Sequence, residues 1–237
     1  MRYLILTLLF LAGPAAAGWL NITETHELSL DATQLQKLEI LSGHGYVIVA
    51  GESDRETISV TAEVRIPAMS ESKAAVIKTK YLDLDLSADG NTATLVGMFD
   101  DYVTWRGDQG SVRLTVHVPH QLDVVIRDGT GFIEVADLEG DLSIEDGSGS
   151  IDLKRIGGNV SIEDGEGWID VDRVNADVVI KDRSGGISVS RVAADVVIDD
   201  GSGRVDVRDV SGDLTLVDNA SGRFTYAGVQ GVIRDES

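Results

Sequence analysis

The sequence predicts an all-β fold, a single parallel β-solenoid whose coils are 18 residues long. Three observations support this prediction: aspartate recurs at an unbroken spacing of 18, glycine follows three residues later, and aliphatic residues alternate with polar ones in between. Repetition at a fixed period of this length is typical of stacked folds in which each unit contacts only its neighbours. The recurring aspartates are Asp128, Asp146, Asp164, Asp182, Asp200 and Asp218.

Each repeat contains two predicted strands. Counted from the aspartate as position 0, position 3 is glycine and positions 5, 7, 10, 14 and 16 are aliphatic in all five complete copies, residues 128–217. Positions 5 and 7, and again 14 and 16, alternate with polar residues, which predicts strands with one buried face. The glycines and aspartates lie between the strands, where glycine tolerates positive φ and aspartate bonds to turn amides. Stacking equivalent strands about 4.8 Å apart would bury the aliphatic side chains in continuous rows.

The N-terminal part, residues 18–127, is less regular, and we interpret it as a capped, widened start of the same solenoid. The segment from Ser42 to Gly45, followed by Tyr46 to Val49, resembles the turn and first strand of the repeat. An Ala-rich segment from Ser70 to Lys80 predicts one short helix with Ser70 as its N-cap. Further strands are predicted over 57–66, 82–86, 92–98, 111–118 and 122–127.

The C-terminal segment, residues 218–237, is predicted to close the solenoid. The repeat pattern loosens after Asp218, and Phe224 and Tyr226 precede a polar tail. An open end would leave a strand edge with unpaired backbone groups, so a cap is expected there.

Residues 1–17 are predicted to be a signal peptide. Arg2 precedes an apolar run from Tyr3 to Ala12, and Ala15 to Ala17 provide a cleavage site with small side chains. The run is too short to span a bilayer, so we expect an exported chain, periplasmic or at the cell surface, with no membrane span after cleavage. The chain has no cysteine, which excludes disulfides and a lipid-anchored N-terminus.

The charge of the chain narrows the classes of partner. The net charge is −20, and cleavage after residue 17 would remove Arg2 and make it −21. So acidic a surface disfavours nucleic acid and anionic lipid. The expected partner is an envelope or surface protein or a glycan.

The motifs resemble those of a known family. Val118-Pro119 precedes Leu122-Asp123-Val124, and the patterns D-G-S-G-x-I-x-V and G-D-L-x-I then recur after the export signal. These features resemble the bacterial putative-adhesin family, a domain of unknown function related to head regions of autotransporter adhesins. The resemblance covers roughly residues 36–230. It implies a β-solenoid at the cell envelope without enzymatic activity, and it transfers no catalytic or binding residues.

Metal and cofactor sites are not predicted. Calcium-binding solenoids with glycine-rich nonapeptides carry an aspartate ligand at a position that is aliphatic here, for example Ile133 and Ile169. His117 and His120 have a ligand-like spacing, but Pro119 interrupts them and we interpret them as the end of a surface strand. No cysteine or Ser–His arrangement indicates a nucleophile, so no catalytic residue is predicted.

Two groups of residues are candidates for a recognition surface. Phe132 and Trp168 share the outward position 4 two coils apart, about 9–10 Å from each other. The loop over 99–110 adds Trp105 and an Arg-Gly-Asp tripeptide. Position 9 supplies Arg155, Arg173 and Arg191, which either bind a ligand or offset neighbouring charges such as those of Asp152 and Asp170.

Two functions therefore remain as hypotheses. The first is a non-enzymatic β-solenoid of the cell envelope that acts as a binding or structural module, with adhesion as its hypothesised role. The alternative is a carbohydrate-active β-helix enzyme that acts on polysaccharide. A cleft with an acid, a base and an aromatic floor would favour the enzyme, whereas a groove with solvated charges would favour the binding module.

Overall fold

The computed structural model describes residues 7–9, 20–100, 110–219 and 222–236, with the backbone alone for 7–9, Leu20 and Asn219. The predicted signal peptide, residues 1–17, lies outside the described residues except for Thr7–Leu9. Residues 101–109 of the predicted aromatic loop also lie outside them.

The described residues form strands and one helix, in the order β1(Thr7–Leu9), β2(Leu20–Asp31), β3(Lys37–Ser42), β4(His44–Glu52), β5(Thr57–Ala68), α1(Glu71–Tyr81), β6(Leu82–Asp89), β7(Thr92–Phe99), β8(Ser111–Pro119), β9(Asp123–Asp128), β10(Thr130–Leu138), β11(Leu142–Asp146), β12(Gly149–Ile156), β13(Val160–Val174), β14(Val178–Val192), β15(Val196–Asp200), β16(Gly203–Val210), β17(Leu214–Asn219), β18(Arg223–Ala227) and β19(Ile233–Asp235).

From β9 onward the chain winds into parallel coils, each of which adds one strand to each of two rows. The first row runs through β4, β10, β12, the second halves of β13 and β14, β16 and β18. The second row runs through β3, β9, β11, the first halves of β13 and β14, β15, β17 and β19. Strands β13 and β14 continue round the corner between the rows. The prediction of a parallel β-solenoid with 18-residue coils is confirmed.

The core consists of the aliphatic rows that the repeat predicts. All 25 aliphatic side chains at positions 5, 7, 10, 14 and 16 of residues 128–217 are at most 1% exposed. Each one stacks on its counterpart in the next coil, as Ile151, Ile169 and Ile187 do. Identical spacing in every coil keeps each apolar residue on the buried face.

The glycine at position 3 is required by backbone conformation and by crowding. Gly167 has a φ of +156°, and a Cβ added there would lie 1.8 Å from the carbonyl oxygen of Gly149 in the preceding coil. The same combination recurs at every position-3 glycine of the repeats. The positive φ expected of the turn glycines is therefore observed at Gly167.

The N-terminal half stacks its strands in an order that differs from their order in the sequence. Strand β4 lies between β8 and β10, and β3 lies between β7 and β9. Strand β5 pairs antiparallel with both β2 and β8, and β6 forms an antiparallel hairpin with β7. The half is therefore a widened start of the solenoid as predicted, but a long antiparallel segment closes its end. Strands β2 and β3 were not predicted.

Helix α1 is the helical excursion predicted from Ser70. The Ser70 side chain accepts a hydrogen bond from the Lys73 amide, and Glu71 in the first turn and Lys80 in the last turn complement the helix dipole. Only Ala74 of the helix is buried, and Lys78 bonds to Glu24 at 2.7 Å. No helix among the described residues has the length and apolarity needed to cross a bilayer.

The C-terminal end departs from the repeat by one residue. Leu216 pairs with Ile198, but the register then shifts so that Asp218 pairs with Asp199. The shift is a β-bulge at Val217, which adds one residue to that coil. Phe224 packs against the end of the core, and its ring centroid lies 5.2 Å from that of Tyr226.

Candidate functional site

Aromatic side chains form a column on the outer surface of the first strand row. Position 4 follows the crowded turn glycine and precedes a buried residue, so strand alternation directs its side chain outward. Tyr46 pairs with Phe132, and Phe132 is separated from Trp168 only by Ser150. We refer to Tyr46, Phe132 and Trp168 as the aromatic face.

One end of the aromatic face is held by ring contacts. The Tyr46 and Phe132 ring centroids lie 6.1 Å apart with the planes at 88°, the edge-to-face geometry that aromatic pairs prefer. The guanidinium carbon of Arg113 lies 4.8 Å from the Tyr46 ring centroid, within the range of a cation–π contact. Tyr46 nevertheless remains 42% exposed. The ring is therefore both supported and accessible.

Trp168, at the other end of the aromatic face, packs where the neighbouring coil has no side chain. Its counterpart in the next coil is Gly186. A Cβ at Gly186 would lie 2.1 Å from Cζ3 of Trp168, so the six-membered ring occupies the space that a side chain there would need. Trp168 remains 48% exposed. The indole therefore packs on strand β14 and presents the rest of its surface to solvent.

Carboxylates line the aromatic face along position 6, two residues further along each strand. Asp152 bonds to Lys154 at 2.7 Å, and Asp206 bonds to Arg208 at 2.9 Å. Glu134 and Asp170 make no hydrogen bond or ion pair with the described residues. Phe132 and Trp168 thus each have, on the same face of their own strand, a carboxylate without a hydrogen bond, which interacts with the described residues through the charge of Lys154.

The structure brings together some of the predicted recognition residues. Phe132 and Trp168 lie in one column, as their shared repeat position predicted. Tyr46 extends this column and was not among the predicted residues, although aligning Gly45 with position 3 places Tyr46 at position 4. Trp105 lies outside the described residues.

The arginines of position 9 form a separate corner. Arg155, Arg173 and Arg191 have φ of 59°, 61° and 59°, in the left-handed region. We refer to these three residues as the arginine corner. They lie five residues along the strand from the aromatic face, a separation of about 16 Å.

Two of the three arginines are neutralised by neighbouring acids. Arg155 bonds to both carboxylate oxygens of Asp137, at 2.5 and 2.6 Å, and Arg191 pairs with Asp172. The sequence had suggested Asp152 and Asp170 as the neighbouring charges, and the structure shows different partners because position 9 turns away from position 6. Arg173 has no ion pair within the described part of the chain.

A groove of about 660 Å³ runs beside the arginine corner. Its walls include His120, Arg155, Arg173 and Asn175, and no described Phe, Tyr or Trp lines it. The groove therefore has solvated charges but lacks the aromatic floor that would favour a polysaccharide-cleaving enzyme.

Five position-0 aspartates form a buried row at the corner where the chain passes from the second strand row to the first. We call Asp128, Asp146, Asp164, Asp182 and Asp200 the aspartate ladder, and each is at most 8% exposed. Their strand registers place each one beside the next. The sixth predicted member, Asp218, is displaced by the bulge at Val217, so Asn219 lies beside Asp200 instead.

Burial raises the pKa of every member of the aspartate ladder. The pKa of Asp146 rises to about 7, chiefly by burial and then by the charges of Asp128 and Asp164. The pKa of Asp182 rises to about 6, chiefly by burial and then by the charge of Asp164. Neighbouring turn amides oppose the rise in both cases. The sequence suggested turn hydrogen bonds, which lower the pKa, but desolvation outweighs them.

Metal-binding side chains do not converge in the described residues, where no group of three or more His, Cys, Asp or Glu could hold an ion. His117 Nδ1 lies 2.7 Å from Glu52 Oε1, and His120 Nδ1 lies 3.5 Å from Glu139 Oε1. Pro119 ends strand β8 between the two histidines, so they point to different partners.

Comparison with known proteins gives matches among solved structures. No protein-family model and no curated protein sequence matches the chain. A "putative cell adhesion protein" from Clostridium sporogenes ATCC 15579 has a TM-score of 0.41 at 12% identity, covering 90% of this chain and 98% of that chain. A "putative adhesin" from Bacteroides fragilis NCTC 9343 has a TM-score of 0.41 at 13% identity, covering 89% of this chain and 96% of that chain.

Proposed function

We propose that this chain is an exported, non-enzymatic binding module of the bacterial envelope, and that its aromatic face binds a neutral glycan. The observation that carries the proposal is the column of accessible rings, in which Tyr46 is 42% and Trp168 is 48% exposed. The export and envelope location rest on the sequence of residues 1–17.

The chemistry of the face selects the ligand class. Aromatic rings offer apolar surfaces against which the C–H faces of sugar rings can stack, while polar groups around them fix orientation. Glu134 and Asp170 provide free carboxylate acceptors for sugar hydroxyls on the same surface. Acidic glycans are disfavoured because these carboxylates, within a chain of net charge −20, would repel them.

The spacing of the rings selects an extended ligand over a single sugar. Phe132 and Trp168 are two strand spacings apart, about 9–10 Å. The residue between them is Ser150, whose small side chain does not block the space between the two rings. A polysaccharide chain running along the solenoid axis can contact both rings with different sugar units. A monosaccharide can contact only one.

The binding test uses the purified chain and a panel of soluble polysaccharides, with neutral glucans and mannans and a polyuronate as the acidic member. Calorimetric titration should give binding to a neutral polymer and none to the polyuronate. Trp168→Ala should weaken binding at least about tenfold, which corresponds to about 1.4 kcal/mol. The matched control is Tyr226→Ala, since Tyr226 is 51% exposed but lies on the last coil away from the face.

Two results would contradict the proposal. Equal loss of binding in Trp168→Ala and Tyr226→Ala would show that exposed aromatics act non-specifically. Release of reducing or unsaturated sugars from any polymer, lost in Glu134→Gln or Asp170→Asn, would favour the enzymatic alternative.

A further inference from the structure

The aspartate ladder contains buried carboxylate oxygens that nothing in the described structure satisfies. Oδ2 has no hydrogen-bond partner in Asp164, Asp182 and Asp200. In Asp128 and Asp146 neither oxygen makes a contact of full hydrogen-bond geometry, although the Gly129 amide beside Asp128 and the Gly147 and Ser148 amides beside Asp146 lie close enough to oppose the rise in pKa. Buried polar atoms are normally paired, and an unpaired buried charge is far more costly than an unpaired neutral group. Five ionised carboxylates in this corner would therefore strongly oppose folding.

In three of the turns a backbone amide holds one carboxylate oxygen and leaves the other free. Oδ1 of Asp164 accepts from the Gly165 amide at 2.7 Å, Oδ1 of Asp182 from Ser184 at 3.1 Å, and Oδ1 of Asp200 from Ser202 at 3.2 Å. The turn amides fix one oxygen in each of these coils, and the parallel register sets successive side chains about 4.8 Å apart. The parallel register therefore places the carboxyl groups of neighbouring coils side by side.

The charged groups around the ladder do not neutralise it. Arg127 pairs with Glu145 at 3.3 Å, and Lys181 pairs with Glu163 at 3.3 Å, so both cations are already engaged by acids of position 17. The charged or titratable groups that face the ladder from the strands and turns around it are His44, Arg127, Glu145, Glu163, Glu166, Lys181, Arg183, Asp199 and Asp218.

A linear row of this kind suits a proton better than a metal ion. A calcium ion takes six to eight oxygen ligands that converge on one point, whereas the described carboxylates form no converging group of three. A proton needs only two oxygens, one as donor and one as acceptor. A protonated aspartate in the row can donate to a free oxygen of its neighbour.

We propose that the aspartate ladder is a row of proton-binding sites, in which Asp146 and Asp182 are carboxylic acids at mildly acidic to neutral pH and donate to the ionised aspartates beside them. Each proton comes from solvent. As the pH falls through this range, Asp146 and Asp182 together take up as many as two protons on folding.

The surroundings explain why protonation alternates along the row. Asp146, Asp164 and Asp182 each have an acid on both sides, and Asp164 differs from the other two by the cation beside it. The Arg183 charge lowers the pKa of Asp164 and opposes the effect of burial there. Asp164 is therefore the natural acceptor between the two acids, and the raised pKa values of Asp146 and Asp182, about 7 and about 6, agree with this assignment.

The sign of the pH dependence follows from the raised pKa values. Between the ordinary aspartate pKa of about 3.9 and the folded values, the folded state binds more protons than the unfolded state. Stability therefore increases as pH falls from about 8 through 7 and 6 toward 4, the reverse of the usual response of an ion-paired carboxylate. With two protons taken up, the unfolding equilibrium constant changes by up to about 100-fold for each pH unit.

The first measurement is the carboxyl carbon-13 spectrum of the full chain labelled in its aspartate side chains. Two aspartate resonances should titrate near neutral pH, and one should disappear in Asp146→Asn and the other in Asp182→Asn. This measurement needs no stability data from the variants. Ladder resonances that all titrate near the ordinary aspartate value would overturn the proposal.

The second measurement is the thermal midpoint between pH 5 and pH 8. The wild type should melt several degrees higher at pH 5.5 than at pH 7.5. The double variant Asp146→Asn/Asp182→Asn should melt at a higher temperature than wild type at pH 8. Its thermal midpoint should also depend much less on pH, because an asparagine amide donates a hydrogen bond, like a protonated acid, at every pH. The control Asp83→Asn/Asp85→Asn removes the same two charges from exposed positions of β6 and should keep the dependence.

Three outcomes of this second measurement would overturn the proposal. A wild-type midpoint that falls on acidification from 7.5 to 5.5 would show that the ladder is ionised in the folded state. If the Asp83→Asn/Asp85→Asn control lost the pH dependence of its thermal midpoint to the same extent, the effect would be due to net charge. Stabilisation by calcium at pH 8 beyond an ionic-strength-matched magnesium sample, lost in Asp146→Asn/Asp182→Asn, would make the ladder a metal site.

Discussion

The repeats after β9 and the N-terminal half before it build the same two strand rows by different means. In the repeats, every strand is parallel and 18 residues bring the chain back to the same place. In the N-terminal half, β5 joins β2 and β8 antiparallel, and Gly45 stacks on Gly131, which is 86 residues later in the chain. Both parts of the molecule contribute strands to the same two rows. The position of a strand in the stack therefore follows from its pattern of buried residues and not from the order in which the chain connects the strands.

The largest expected effect tests the buried rows of the repeats. Ile169→Asp should unfold the chain, losing more than about 4 kcal/mol, because an unpaired carboxylate would replace a side chain that is fully buried between Ile151 and Ile187. The adjacent Asp170→Ser faces outward and should change stability by less than about 0.5 kcal/mol. Thermal melts of both variants check the contrast, and equal losses would reverse the assignment of the two strand faces.

The next effect separates crowding from backbone conformation. Gly167 in the repeats and Gly90 in the β6–β7 hairpin both have positive φ, at +156° and +61°, but only Gly167 has a carbonyl oxygen within 2 Å of an added Cβ. Gly167→Ala should cost several kcal/mol, whereas Gly90→Ala should cost about 1 kcal/mol. Denaturant titration measures both losses. Similar values would mean that conformation alone explains the repeated glycine.

A smaller effect tests how independent the helix of the N-terminal half is. Ser70→Ala removes the side-chain acceptor for the Lys73 amide and should cost about 1 kcal/mol, with faster amide exchange confined to α1. Val76→Ala, at a position of the same helix that is 61% exposed, is the control and should leave the Lys73 amide protected. Exchange that spreads into the repeats would show that α1 supports the whole stack.

The smallest effect concerns the arginine corner of the repeats. Arg173→Ala should change stability by less than about 0.5 kcal/mol and leave glycan affinity unchanged, because Arg173 is exposed and has no ion pair among the described residues. Melting and calorimetric titration of the same sample check both statements. A tenfold loss of affinity would move the binding surface from the aromatic face to the corner.

The sequence predicted the regular part well because one physical rule repeats there. Position 5 is buried in every coil, so the five copies of the repeat all indicate the same strand register. The N-terminal half lacks this redundancy. Helix α1 and the later strands have local signals, in the Ser70 cap and in alternation, but nothing local to β4 indicates that β8, which follows it by about 60 residues, precedes it in the stack.

The candidate site was predicted only in part, for related reasons. Phe132 and Trp168 share a repeat position and were found, whereas Tyr46 belongs to a coil whose spacing from the repeats is not 18. Asp218 has the correct spacing, yet the single extra residue Val217 removes it from the ladder. The burial of the ladder also could not be read from the sequence, since aspartate at a glycine-rich turn usually faces solvent.

The interior position of β4 determines the order in which the molecule can assemble. Its two edges are completed by β8 and β10, so the chain must close loops of about 60 and 80 residues before this coil is flanked on both sides. Such distant pairings are slow to form because the loop entropy is lost before the contacts are gained. From β10 onward each new coil needs only the one before it. The repeats can therefore form from local contacts, whereas the coil that contains β4 is completed only once both β8 and β10 are in place.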